Sequence, residues 1–208
     1  MNRRGFFISL EGAEGVGKST NLEFIRNFLE GNGQKVVVTR EPGGTPLAEE
    51  IRQLLLTTRD ETVNIHTETL LMFAARAQHA RTVIEPLVRR GNIVLCDRFT
   101  HSTYAYQGGG RGVSLRELEF LAQFSHGNLW PDLTIYLDAP VDRAFARISD
   151  REQDRIERSG REFFERVRRE YLEMAKKDSR VVVVDADQEL STVQEDLRSL
   201  LIDFLSEQ

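Results

Sequence analysis

Gly12-Ala-Glu-Gly-Val-Gly-Lys-Ser19 is the stretch of sequence that decides the fold. It follows a short apolar run, Phe6 to Leu10, and precedes a segment in which Leu22, Ile25 and Leu29 recur at helical spacing. A strand, a loop and a helix in this order are the context in which G-x-x-x-x-G-K-[ST] forms a phosphate-binding loop. The glycines let successive backbone N–H groups turn toward an anion, and the helix adds the positive end of its dipole. We therefore predict that this phosphate loop binds a nucleoside triphosphate.

Each residue of the loop is a candidate for nucleotide binding. The set is Gly12, Ala13, Glu14, Gly15, Val16, Gly17, Lys18 and Ser19. The ammonium group of Lys18 can reach the β and γ phosphates, and the Ser19 hydroxyl can bind Mg²⁺. The alternative is a glycine-rich turn that merely precedes a helix. The full pattern arises by chance in only about one chain of this length in a hundred, which favours the functional interpretation.

Four more apolar runs predict the remaining strands of a sheet. They are Lys35 to Thr39, Asn92 to Cys96, Leu133 to Leu137 and Val181 to Val184. Segments with apolar residues at intervals of three and four lie between these runs and after the last, and such spacing is typical of helices. Alternating strands and helices predict right-handed crossovers. The fold class is therefore α/β, a five-stranded parallel sheet flanked by helices in a single domain over residues 1–208.

Composition restricts the functional classes. The chain has 208 residues, of which 40% are hydrophobic and 29% charged, as in globular proteins with a substantial core. Its net charge of −5 does not favour nucleic acid as a partner. Cys96 is the only cysteine, which suits a reducing compartment, and the apolar run after the N-terminus is too short for a signal segment or a membrane span. We expect a cytoplasmic protein with no membrane partner.

Asp97 and Arg98 directly follow the apolar run that ends at Cys96. The carboxylate of Asp97 is expected at the carboxyl edge of the sheet, beside the phosphate loop, where it could hold Mg²⁺ directly or through water. The alternative is that Asp97 only caps the next helix. The guanidinium of Arg98 would point into the same cleft and is suited to bidentate binding of a phosphate group.

A phosphate loop alone does not separate a motor, a switch GTPase and a small kinase. The guanine-binding pattern N-K-x-D of a GTPase is absent from the sequence. Several arginine-bearing segments are instead predicted at the carboxyl edge of the sheet. That arrangement suits a second phosphorylated molecule bound opposite ATP.

Four further motifs give the chain a resemblance to a known family. In chain order they are Thr39-Arg-Glu-Pro-Gly-Gly-Thr45, Asp97-Arg-Phe99, Ser102-Thr-Tyr-Ala-Tyr-Gln-Gly108 and Asp154-Arg-Ile-Glu157. Together with the phosphate loop they cover nearly the whole chain, which resembles bacterial thymidylate kinases. The resemblance implies the P-loop nucleoside monophosphate kinase fold with a mobile lid. It also implies transfer of the γ-phosphoryl group of MgATP to dTMP, giving dTDP for dTTP synthesis.

The same resemblance implies residues that bind the acceptor nucleotide. Phe73 matches the aromatic residue that stacks on thymine, and Arg76 matches the arginine that hydrogen-bonds the base. Spacing alone would make Phe73 a core residue more often than a ligand contact. The full set of implied substrate-binding residues is Arg40, Glu41, Phe73, Arg76, Arg98, Ser102, Thr103, Tyr106 and Gln107.

Individual roles follow from the family pattern. Arg98 is expected to grip the monophosphate, and Arg40 and Glu41 to lie near it. Tyr106 is expected to favour deoxyribose by crowding the 2′ position, although a merely packed tyrosine is the alternative. The helix from about Thr67 to Arg90 is expected to form a homodimer interface.

A charged segment at about residues 147–160 is expected to form the lid. In one branch of the family the phosphate loop carries a catalytic arginine, whereas here Gly15 occupies that position, so the resemblance implies that the lid supplies it. Arg147, Arg151 and Arg155 are the candidates, and Arg155 fits best. A solvated helix face is the alternative for this segment. The catalytic set implied is Lys18, Arg155, Arg151, Glu14 and Asp97, with Ser19 and Asp97 for the metal.

Two other functions compete with this interpretation. One is a kinase for another nucleoside or nucleotide, which relative rates with dTMP, dUMP, dGMP and thymidine would distinguish. The other is a nucleotide-dependent switch, which would hydrolyse nucleotide or bind a partner without transferring phosphate to any monophosphate.

Overall fold

A computed structural model describes residues 4–147 and 154–206. In these residues five strands form one fully parallel sheet in the order β2-β3-β1-β4-β5. The strands are β1 (Phe7–Glu11), β2 (Val36–Arg40), β3 (Ile93–Asp97), β4 (Leu133–Asp138) and β5 (Val181–Asp185). Each predicted strand is present, with its ends moved by at most one residue. The predicted α/β class and parallel sheet are confirmed.

Helices cover both faces of this sheet, which explains why every residue of β1 is buried. Ile8 and Leu10 pack in a core cluster with residues of the first and last helices. Phe7, on the opposite face, packs in a second cluster with Ile84 and Val88. The strand is central, with β3 on one side and β4 on the other. Ligands of open parallel sheets bind at such a point, outside the carboxyl ends of the strands.

The described residues form nine α-helices. They are α1 (Lys18–Gly31), α2 (Pro46–Leu56), α3 (Ile65–His79), α4 (Glu85–Arg89), α5 (Thr100–Thr103), α6 (Leu115–Ser125), α7 (Val141–Ala146), α8 (Arg161–Lys177) and α9 (Leu190–Ser206). Local sequence explains several of their starts. The Thr45 hydroxyl caps α2 ahead of Pro46, and Ser114 and Glu117 form a reciprocal capping box at α6.

The helix predicted from Thr67 to Arg90 is a longer, interrupted helical stretch. It consists of α3, a π-helical segment Ala80–Ile84 and α4. Pro86 lies in the first turn of α4, where its missing N–H is tolerated. A second π-helical segment, Tyr104–Gly110, follows α5. Such segments are rare and often lie at functional sites.

Part of the segment predicted to form the lid lies outside the described residues, namely 148–153. Its C-terminal part contains a short 3₁₀ helix, Glu157–Ser159. Ile156 is buried there in a cluster with Tyr106 and Phe164. This part of the segment is therefore packed against the domain, unlike a solvated helix face. Among the described residues, the structure contains no helix with the length and apolar character needed to span a membrane.

Candidate functional site

The phosphate loop connects β1 to α1 with the geometry that its glycines predict. Gly12, Gly15 and Gly17 all have positive φ angles, which residues with a side chain rarely adopt. Val16 points the other way and is buried in the main core cluster. The loop is therefore anchored by one buried apolar side chain, while Gly17 and Ser19 at its end are exposed. No side chain caps the N-terminus of α1, so that helix end remains suited to an anion.

Lys18 begins α1 and turns back over the loop. Its ammonium group donates hydrogen bonds to the carbonyl oxygens of Gly12 (3.0 Å) and Ala13 (2.8 Å). Burial and the neighbouring positive charge of Arg98 lower the pKa of Lys18 to about 8. Of the three N–H donors of the ammonium group, one is left for a phosphate oxygen.

A cleft of about 540 Å³ lies beside the loop and is open to solvent. Seven of the nine predicted substrate-binding residues line it, and so does Glu14 of the phosphate loop. The seven are Glu41, Arg76, Arg98, Ser102, Thr103, Tyr106 and Gln107. Residues from distant parts of the sequence meet here because the carboxyl ends of β1, β2 and β3 share one edge of the sheet.

Arg98 occupies the end of the cleft next to the phosphate loop. It is the one non-glycine residue with a positive φ (70°) within the described part of the chain. Its guanidinium forms an ion pair with Glu14, donates to the Ser102 hydroxyl (3.2 Å) and lies 4.9 Å from the ring centre of Tyr106. The strained backbone thus directs the side chain between the loop and the cleft.

The carboxyl group of Glu14 has a pKa that depends on the positive charges around it. Burial would raise the pKa of its carboxyl group, but the positive charges of Arg98 and Lys18 outweigh this and hold the pKa below its usual value. The Tyr106 hydroxyl donates a hydrogen bond to the second oxygen of Glu14 (3.2 Å). One ionised carboxylate therefore connects the phosphate loop to two residues of the cleft.

Glu11 lies below this cluster, and none of the sequence motifs contains it. Its carboxylate accepts hydrogen bonds from the Phe99 N–H (2.7 Å), the Tyr171 hydroxyl (2.8 Å) and the Ser102 hydroxyl. Burial raises its pKa, and the hydrogen bonds and Arg98 only partly oppose that effect. Through these hydrogen bonds Glu11 connects β1 to the turn after β3 and to α8. Nothing in the local sequence indicated this, because its partners are about 90 and 160 residues away.

Arg76 on α3 is buried and held at three points. Its guanidinium donates to Glu41 (2.7 Å), to the Thr103 hydroxyl (2.8 Å) and to the Phe99 carbonyl (3.2 Å). Glu41 also accepts a hydrogen bond from His79 Nδ1 (3.0 Å), because an ionised carboxylate has no proton to donate. Burial would raise the pKa of Glu41, but the charge of Arg76 and the contact with His79 lower it. Arg76 thus faces the cleft in a fixed orientation, with two N–H groups left for a ligand.

Phe73, predicted to stack on thymine, does not line the cleft, and its stacking role stays a prediction. Its ring is buried in a cluster with Val113 and Leu118, and the Arg76 guanidinium covers it at 5.1 Å. Met72 lines the cleft instead. With 3.6 residues per turn, a residue four positions before Arg76 lies about 40° from it around the helix, whereas one three positions before lies about 60° away on the other side.

Arg40 and Asp97 lie apart from the main cleft, in a shallow pocket with Leu22, Thr39 and Gly44. Arg40 is largely exposed and pairs with Glu49 of α2 (3.0 Å). Asp97 Oδ1 is buried and has no hydrogen-bond partner among the described residues. A buried carboxylate oxygen without a partner calls for a ligand such as a cation or an ordered water. Oxygen donors of this kind suit Mg²⁺, and the Ser19 hydroxyl in the first turn of α1 is of the same kind.

The three candidate lid arginines have different surroundings. Arg155 forms an ion pair with Glu68 (2.7 Å) and donates to the Leu55 carbonyl (2.8 Å), and it does not line the cleft. Arg147 donates to the Ala186 carbonyl (3.1 Å) and reaches the Gly15 carbonyl at 3.5 Å. Arg151 lies outside the described residues.

Six further residues line the cleft. Pro42, Asp154 and Ile156 belong to the motifs quoted from the sequence, whereas Arg52, Leu56 and Met72 belong to none of them. Arg52 brings a further positive charge toward the cleft and donates to the Pro42 carbonyl (2.9 Å). Burial, together with the charges of Arg40 and Arg98, lowers its pKa. In the sequence, the position of Arg52 in the helix that follows the Glu-Pro-Gly-Gly motif was the one feature that could have indicated its place in the cleft.

Comparison with known proteins agrees with this geometry. The model of the family described as thymidylate kinase matches residues 10–197. The chain belongs to the thymidylate kinase family. It is 55% identical over 203 residues to a thymidylate kinase of Pseudomonas fluorescens (strain Pf0-1), with 97% of each chain covered. It is 54% identical over 199 residues to a thymidylate kinase of Ectopseudomonas mendocina (strain ymp), with 95% of each chain covered.

In this kinase most of the family motifs lie in two adjoining regions. The phosphate loop is the first region, and the cleft that contains Arg76 and Arg98 is the second. Glu14 joins them through its ion pair with Arg98. The P-loop nucleoside monophosphate kinase fold expected from the motifs is confirmed.

Proposed function

We propose that the phosphate loop binds ATP while the adjoining cleft binds dTMP, so that the two phosphate chains meet beside Arg98. As a thymidylate kinase, the chain phosphorylates dTMP to dTDP with ATP as donor. The observation that carries the assignment of the two sites is the ion pair between Glu14 of the loop and Arg98 of the cleft. A phosphate at the inner end of the cleft then lies next to a phosphate held by the loop.

The acceptor would be held at its two ends. Arg98, supported by Ser102, offers a fork of donors to the monophosphate, which suits bidentate binding. At the other end, the free N–H groups of Arg76 face the base, with Met72 and Ile156 forming apolar walls. The Tyr106 ring between these ends is placed to contact the sugar.

Phosphoryl transfer in such a site needs no covalent intermediate with the protein. The acceptor phosphate attacks in line, and the protein positions the reactants and neutralises charge. Lys18 supplies a positive charge from the loop, and Arg151 or Arg155 of the lid would supply another. The Ser19 hydroxyl and the Asp97 carboxylate, whose Oδ1 is buried without a partner among the described residues, are the groups we assign to Mg²⁺. When bound, the ion would reduce the negative charge of the ATP phosphates.

A coupled assay of ADP formation tests this assignment. The protein is supplied with ATP and dTMP, with dUMP, dGMP and thymidine as alternative acceptors. We expect dTMP to be the best acceptor. A preference for the unphosphorylated nucleoside, or ATP hydrolysis without transfer to any monophosphate, would contradict the proposed function.

We also infer that two copies of the chain associate through α3 and α6. Phe120 and Phe124 are 70% and 80% exposed, and they lie four residues apart on one face of α6. Leu70 of α3 is also more than half exposed and lines the same surface pocket as Phe120. The two helices pack together, so these side chains form one apolar surface. Monomeric proteins rarely expose such surfaces, which supports the homodimer expected for the family.

A further inference from the structure

Glu68 is a buried carboxylate of α3 that lies outside the lining of the cleft. It accepts a hydrogen bond from Gln107 Nε2 at 2.8 Å. It also forms ion pairs with Arg155 (2.7 Å) and with Arg111 (3.4 Å). One side chain thus connects α3, the π-helical segment that contains Gln107, and the C-terminal end of the segment predicted to form the lid.

The charge state of Glu68 determines what its neighbours can do. Burial would raise its pKa, but the hydrogen bond from Gln107 and the charges of Arg111 and Arg155 outweigh this, and the pKa lies below its usual value. An ionised carboxylate is only an acceptor of hydrogen bonds. The amide of Gln107 must therefore turn its NH₂ end toward Glu68, because the opposite orientation would place two acceptor oxygens in contact.

The same orientation determines which group Gln107 offers to the cleft. Gln107 lines the cleft, so its amide lies between Glu68 and the space for a ligand. With the nitrogen committed to Glu68, the carbonyl oxygen is the end directed away from the carboxylate. Thymine and uracil carry an N–H donor at N3, whereas cytosine carries a lone pair there. A carbonyl oxygen accepts from the former and repels the latter.

We propose that Glu68 is a positioning residue that orients the Gln107 amide and thereby makes the cleft select a pyrimidine with an N3–H donor over cytosine. The inference rests on the proposed function, in which the cleft holds the base of dTMP. The specificity is set from outside the cleft, by a residue that contacts no ligand. When cytosine binds, the fixed carbonyl oxygen of Gln107 is left without a donor. We therefore expect a clear preference for the base with an N3–H group.

The test compares dTMP with dCMP in the full-length protein. The measured quantity is the inhibition constant of dCMP divided by the KM of dTMP. In Glu68→Gln the neutral amide at position 68 can present either its oxygen or its nitrogen, so Gln107 can turn over. We expect the ratio to fall by about tenfold, the effect of one buried polar group that is no longer fixed. The matched control is Arg111→Met, which removes one partner of Glu68 but keeps its carboxylate, and here the ratio stays as in the natural protein.

A second variant covers the case in which Glu68→Gln does not fold. Gln107→Met keeps both ion pairs of Glu68 and removes the acceptor, so the same ratio should fall. An unchanged ratio in either folded variant that still phosphorylates dTMP overturns the inference. Failure of the natural protein to phosphorylate dTMP would instead contradict the proposed function, and the two failures are therefore distinguishable.

Discussion

Arg155 and Glu68 form a 2.7 Å ion pair between the segment predicted to form the lid and α3. The sequence motifs assigned Arg155 to charge neutralisation during transfer, yet the structure holds it against a buried carboxylate. Its side chain also donates to the Leu55 carbonyl of α2. The Arg155 backbone N–H reaches the Leu56 carbonyl at 3.4 Å. In this conformation Arg155 anchors the segment to the domain.

The ion pair predicts two effects of Arg155→Ala. Loss of the guanidinium leaves Glu68 with fewer partners, so the free energy of unfolding should fall by about 1–3 kcal/mol, as measured by urea denaturation. Turnover should fall more than dTMP affinity if the side chain also neutralises charge in the transition state. Unchanged turnover would restrict Arg155 to the anchoring role. An unchanged urea midpoint would show that the ion pair contributes little to stability.

Lys18 predicts the pH dependence of ATP use. Because burial and Arg98 lower its pKa to about 8, the ammonium form dominates below that pH and is lost as the pH rises through it. We expect kcat/KM for ATP to decline above about pH 8, since only the charged form attracts phosphate. A pH profile from roughly 6 to 10 measures this. In Lys18→Arg the guanidinium stays charged, so the alkaline decline should disappear even though overall activity is lower. The same decline in both proteins would assign it to another group.

Glu41 predicts a coupling between stability and acceptor binding. It lies between two buried groups, Arg76 at 2.7 Å and His79 at 3.0 Å. Glu41→Gln leaves the Arg76 charge without its counter-ion, and we expect a loss of about 3 kcal/mol in unfolding free energy. The KM for dTMP should rise because Arg76 loses one of its three anchors. Glu195→Gln is the matched control, since the ion pair of Glu195 with Arg198 is exposed and should contribute less than about 1 kcal/mol.

The sequence predicted the parts of the fold that depend on local patterns. Apolar runs located all five strands, and the loop glycines indicated their own backbone conformation. The contacts that shape the cleft join residues far apart in the chain, and no local pattern contains them. Glu11 with Tyr171 is one example, and Glu68 with Arg155 is another. The burial of Phe73 is a third example, because its cluster partners Val113 and Leu118 lie in another part of the chain.

The exposed phenylalanines of α6 predict the oligomeric state. If two copies pair through α3 and α6, replacing Phe120 and Phe124 by lysine should convert a dimer into a monomer in analytical ultracentrifugation. Both side chains are more than two-thirds exposed, so the fold of each subunit should tolerate the change. Leu54→Lys is the control, because Leu54 is also half exposed but lies on α2. A natural protein that sediments as a monomer would contradict the proposed association.

The surroundings of Gly15 explain why the phosphate loop of this chain carries no arginine at that position. Its φ of 81° already disfavours a side chain, and a Cβ added there would lie 2.0 Å from the Ala144 carbonyl oxygen. That oxygen belongs to the backbone of α7, so it cannot move without shifting the helix that leads to the segment predicted to form the lid. We expect Gly15→Ala and Gly15→Arg to weaken ATP binding in calorimetry and to cost about 2 kcal/mol in stability. Gly31→Ala is the control, since a Cβ added at Gly31 would meet nothing within 4 Å and the φ of Gly31 is not positive. Activity gained by Gly15→Arg would show that the loop can accommodate a charge-neutralising arginine; its loss would mean that close packing against α7 commits the chain to an arginine from elsewhere.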